Sequence, residues 1–183
     1  MFGFLKPKLT AEGLGIVLAK AARAALTETS QNFQQQIDLL IRNGADPDII
    51  RVEICAFMVF ASVFTVTLGV KHKKMNETKC QSALTALEHE LRNSGQNEYA
   101  DSLCLHYFGA KFPAFIDGRF GEYSQIVNMK GVSSNEIQTS LIERFCGFVC
   151  DREASAGLKL QALSIYVMSS GAAGDIISGI RII

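Results

Sequence analysis

Apolar residues recur along most of this chain at intervals of three and four, the period of an amphipathic helix. Phe33, Ile37, Leu40 and Ile41 share one helical face; so do Cys80, Ala83, Leu84, Leu87 and Leu91, and again Ile137, Leu141, Phe145 and Phe148. No stretch alternates apolar and polar positions for long enough to predict a strand. Capping residues punctuate the pattern. Thr10 opens a first helix to about Thr27, with Glu12 near its positive end. Ser30 opens a second, closed by Asn43-Gly44, and Asp46-Pro47 opens a third that runs to about Val70. Asn76 caps a fourth, ended by Ser94-Gly95, and a fifth covers about 97–111, stopping near Pro113. Gly118 and Gly121 interrupt 114–129, which predicts a short helix or two there. Ser133 and Glu136 have the spacing of a capping box. The last segment, about 154–182, is apolar and rich in small residues, with a break near Gly171. The predicted fold class is all-α: a single-domain multi-helix bundle over 1–183, of about six to eight helices around an apolar central helix at about 47–70.

That central helix raises a membrane question. From Ile54 to Val70 no residue is charged, and Lys71, Lys73 and Lys74 follow at once. A spanning helix wants about 20 apolar residues, with about 17 as the lower limit. Ser62, Thr65, Thr67 and Gly69 interrupt this run, and Arg51 and Glu53 sit just before it. The neighbouring helices are amphipathic in the manner of a water-soluble bundle, so a helix wrapped on all sides is the expectation. A membrane-associated protein is the third reading. Within the helix, Phe57, Phe60 and Phe64 share a face with Glu53 one turn earlier. Two readings follow: core packing, with Glu53 reaching solvent at the helix start, or the wall of a pocket formed by Glu53, Phe57, Phe60, Phe64 and His106, in a small apolar-ligand binder or an enzyme of unrecognised type. His106 enters because it shares a stripe with Tyr99, Leu103 and Ala110.

Composition narrows the function classes. The chain has 183 residues, 48% of them apolar and 20% charged, which excludes intrinsic disorder. Eighteen Lys+Arg balance eighteen Asp+Glu, so there is no basic excess of the kind a nucleic-acid binder carries. Residues 1–7 have neither the apolar core nor the small-residue cleavage site of a secretory signal. With five widely spaced cysteines, an odd number, free thiols in a reducing cytosol are expected.

Candidate chemistry is sparse. Cys146 and Cys150 stand at i, i+4, with Cβ atoms about 5–6 Å apart, too far for an unstrained disulfide at about 3.8 Å. They are half of a zinc-type donor set, and no second Cys or His pair at ligand spacing completes it. His72 and His89 lie among charged neighbours. The Glu-x-x-His, His-Glu-x-x-His, Gly-x-Ser-x-Gly and phosphate-loop patterns are absent, so no catalytic residue is named and no metal or cofactor is expected. The last helix offers a different lead. Ser170, Gly174 and Ser178 make a ladder of small residues that permits close helix approach, and Ile176, Ile177, Ile180, Ile182 and Ile183 crowd the chain end. Ser170, Gly174, Ile177, Ser178 and Ile180 are therefore the expected interface. The first reading is a non-catalytic cytoplasmic protein that acts by association, a homo-oligomer with a dimer as the first guess.

Overall fold

The computed structural model describes residues 8–93, 98–128, 130–179 and 181–183. Its elements follow in the order β1 (Lys8–Leu9), α1 (Ala11–Thr27), α2 (Gln31–Arg42), α3 (Ile50–Lys71), α4 (Glu77–Asn93), α5 (Glu98–Phe108), α6 (Phe112–Val127), α7 (Ser134–Val149), α8 (Ala156–Gly179) and β2 (Arg181–Ile182). The all-α bundle around an apolar central helix is what forms.

The local signals act where side chains satisfy orphan backbone donors. Thr10 Oγ1 accepts from Gly13 N at 3.0 Å, Asn76 Oδ1 accepts from Lys79 N at 2.9 Å, and Ser133 with Glu136 closes a reciprocal capping box at the start of α7. Asp46-Pro47 behaves differently from the expected helix start. Asp46 Oδ1 accepts from Asp48 N at 2.8 Å and holds a turn instead, so α3 begins only at Ile50. Gly118 and Gly121 do not divide α6, and Gly171 does not break α8; all three face solvent, where a missing Cβ leaves no gap to fill. Among the described residues the one strand pairing is a two-residue parallel contact, Lys8 beside Arg181 and Leu9 beside Ile182. It is too short to leave a periodic mark in the sequence.

Two packings organise the bundle. α3 lies at its centre, against α1, α4, α6, α7 and α8. Ile50, Ile54, Phe57, Phe60 and Val66 are all buried, on more than one side of the helix. By length and composition α3 could cross a membrane, but 67% of its most apolar window is buried inside the protein. The second packing is the close approach of α1 and α4. A Cβ on Gly15 would overlap the Ala83 carbonyl and stand 2.8 Å from Leu87 N, so only glycine allows the two backbones this near. Ala19 and Ala22, on the same face of α1 as Gly15, are fully buried.

α8 covers one side of α3. Leu158, Ala162, Ile165, Ser169, Ala173 and Ile177 form its buried side. α2 flanks it antiparallel: Ser155 Oγ donates to Asn43 O at the start of α8, and Gln36 Nε2 donates to Met168 Sδ further along.

Candidate functional site

Glu53 does not reach solvent. It is fully buried in the first turn of α3 and meets Arg119 from α6 in a forked pair: Arg119 Nε donates to Oε1 at 3.0 Å and Oε2 at 2.9 Å, and Nη2 donates to Oε1 at 2.5 Å. The Arg119 guanidinium is held among three rings, with its carbon 3.7 Å from the centroid of Phe148, 5.0 Å from Phe115 and 5.2 Å from Phe108. Burial pushes the Glu53 carboxyl above its ordinary value, while the Arg119 bond and charge pull it back down. One turn along α6, Tyr123 is also buried, and its hydroxyl has no hydrogen-bond partner among the described residues. Burial, and after it the negative charge of Glu53, hold the phenol well above its ordinary value, so it stays protonated.

The phenylalanine face beyond Glu53 is filled by other rings. Phe57 packs on Tyr123, Phe145 and Tyr166 at centroid distances of 5.2, 4.8 and 5.8 Å. Phe60 packs on Tyr123, Phe120 and Phe64 at 5.0, 5.7 and 6.1 Å. Phe64 is half-buried at the end of this row. His106 does not join the group; it is exposed on α5, edge-on to the ring of Tyr107 at 4.7 Å. The structure thus brings together Glu53, Phe57, Phe60 and Phe64 and leaves His106 outside. Arg119 and Tyr123 complete the cluster, and no local pattern could have found them, because Arg119 stands 66 residues from Glu53.

All five cysteines are free and buried. Burial pushes the Cys55 and Cys104 thiols up to about 12 and Cys146 up to about 11, far from the thiolate state that metal binding or nucleophilic attack needs. Cys146 and Cys150 sit at the end of α7, and among the described residues no three His, Cys, Asp or Glu side chains come together as a metal site. A groove of about 820 Å³ runs between α1 and α4, lined by Glu12, Ile16, Gln81, His89 and Glu90 among others. It is the open flank of the tight helix crossing at Gly15.

The remaining feature is the outer side of α8. Leu160 is 60% exposed, Val167 54% and Met168 47%. Ser164, Gly171 and Ser178 are exposed on the same side, with Gly174 at its edge. Steps of four and three residues keep 160, 164, 167, 171, 174 and 178 on one stripe, directly opposite the buried positions. Of the expected interface residues, Gly174 and Ser178 lie on this stripe and Ser170 is half-buried beside it. Ile177 is buried on the inner side, towards Gly69 of α3, and Ile180 lies outside the described residues. The stripe itself was present in the sequence as the spacing of Leu160, Ser164, Val167 and Gly171.

No protein-family model, curated protein or solved structure matches this chain.

Proposed function

We propose that this chain is a non-catalytic cytosolic protein that acts by association, docking another protein surface on the outer stripe of α8. The observation that carries this reading is the mismatch between the helix and its cover. A helix that is apolar around its whole circumference is normally buried on all sides. α8 has only Asp175 as a charged residue from Leu160 to Gly179, yet its outer side stands open. Exposed apolar residues aligned along one helix face support a docking reading. The five free, buried thiols favour a reducing compartment.

Two observations count against the alternative, a small apolar-ligand site at Glu53. The space beside Phe57 and Phe60 is taken by Tyr123, Phe145, Tyr166 and Phe120. The Glu53 carboxylate is spent on Arg119 rather than turned to a cavity.

Native mass spectrometry of the full chain beside its Val167→Arg variant tests the proposal. Val167 is exposed, so the substitution leaves the bundle folded. The expected result is an assembly heavier than 20.0 kDa that the variant loses. An assembly that Val167→Arg leaves unchanged, or a bare 20.0 kDa chain in both, overturns it.

A further inference from the structure

Taking the outer stripe of α8 as the docking surface, we infer that its partner is a second copy of the same chain, packed antiparallel about a two-fold axis at the level of Ser169.

The stripe is self-complementary in size. Its large side chains, Leu160 and Val167, lie in the first half; its small residues, Gly171, Gly174 and Ser178, lie in the second. Two antiparallel copies centred on position 169 set residues opposite each other that are equally far from it in sequence. Leu160 then faces Ser178, Val167 faces Gly171, and Ser164 faces Gly174. Each bulky residue meets a small one, twice over, which is how side chains of one helix fill the depressions of another. Parallel copies would set Val167 against Val167 and Gly171 against Gly171, giving a clash at one level and a gap at the next. The glycines fit this role because nothing in the chain itself requires them: a Cβ on Gly171 meets nothing within 4 Å, and on Gly174 only the Thr65 methyl at 4.0 Å. Glycine in a helix interior costs about 0.8–1.0 kcal/mol relative to alanine. Close approach of a second helix gives that cost a return.

Charge selects the same direction. Along the side of the stripe next to α2, Arg42 is exposed near the start of α8, where its neighbour Asn43 meets Ser155. Asp175 is exposed near the other end of the helix. An antiparallel pair brings Arg42 of each copy to the end that carries Asp175 of the other, whereas a parallel two-fold pair sets the α2 flanks on opposite sides of the interface and makes no such contact. A two-fold pair with one self-complementary patch is also the commonest form of oligomer.

The register is tested by disulfide trapping. The native thiols are buried, so new cysteines at the exposed positions 167 and 171 are the ones that react. Full-length Val167→Cys and Gly171→Cys proteins are mixed and mildly oxidised, and the products are identified by mass. The expected product is the mixed 167–171 disulfide, in at least about fivefold excess over either homodisulfide. Gly171→Leu supplies the second measurement. It is expected to raise the melting temperature of the single chain while weakening dimerisation at least about tenfold, a split that a merely structural glycine would not give. Predominant 167–167 product overturns the antiparallel arrangement. If Val167→Arg still dissociates the assembly in that case, docking through α8 survives and only the orientation falls. A wild-type chain that stays single at every concentration, with no trapped product, overturns the second copy as the partner.

Discussion

α3 and α8 are the two helices of this protein that are apolar around their full circumference. α3 has no charge between Ile54 and Val70, and α8 has only Asp175 between Leu160 and Gly179. α3 is wrapped by five other helices, whereas α8 is covered on its inner side and open along Leu160, Val167 and Met168. The side chains explain the difference in what each helix can do. α3 carries large rings, of which Phe57 and Phe60 pack on rings of α6, α7 and α8. α8 interleaves bulky residues with serines and glycines, and such a surface closes against another helix, not against loose side chains. An apolar helix is therefore covered by its neighbours in one place and left open along one side in the other.

The most severe way to break the α3 side is to separate Glu53 from its partner. Arg119→Met leaves a buried carboxylate alone, and the fold is expected to lose about 3–5 kcal/mol, measured by urea unfolding. Replacing both partners, Glu53→Leu with Arg119→Met, should recover most of that loss, because the pair repays little more than its own desolvation. No recovery in the double variant would mean that the ion pair itself holds α3 to α6.

The two sides of α8 give the next contrast. Leu158 is fully buried, so Leu158→Ala should cost about 2–5 kcal/mol in any assembly state. Leu160 is 60% exposed, so Leu160→Ala should leave the stability of the single chain within about 0.5 kcal/mol while weakening association. Equal losses at both positions, measured at a concentration too low for assembly, would erase the distinction between inner and outer side.

Tyr123→Phe removes a buried hydroxyl that has no hydrogen-bond partner among the described residues, and should stabilise the protein by about 1–3 kcal/mol in thermal or urea unfolding. A loss instead would assign the hydroxyl a structural bond.

The smallest effect is in pH. The folded chain raises the Glu53 carboxyl above 4.5, its ordinary value, so it holds that proton more tightly than the unfolded chain does. Stability relative to Glu53→Gln should therefore rise as pH falls through the raised value, then level off below about 4.5. The opposite slope would mean that Arg119 outweighs burial.

Much of this architecture was legible in the sequence because helices and caps are local. Thr10, Asn76 and the Ser133–Glu136 box each mark a helix start through bonds that span three residues. Asp46 misled for the same local reason, since its side chain can close a turn as readily as cap a helix. The glycines at 118, 121 and 171 read as breaks, because nothing in the sequence says that those positions face solvent. The Glu53–Arg119 pair was out of reach, being a meeting of residues 66 apart. On α8 the small-residue ladder did not separate the outer side of the helix from its inner side. A helix with apolar residues all round carries no polar stripe to tell inside from outside, and so Ile177 was grouped with Gly174 and Ser178 although it faces α3.

The most direct test of the open side of α8 is sedimentation equilibrium of the wild-type chain and Val167→Arg over a hundredfold range of concentration. Wild type should shift with concentration from 20.0 kDa to twice that mass, and Val167→Arg should stay at 20.0 kDa throughout. A wild-type chain that remains at 20.0 kDa across the whole range would contradict it.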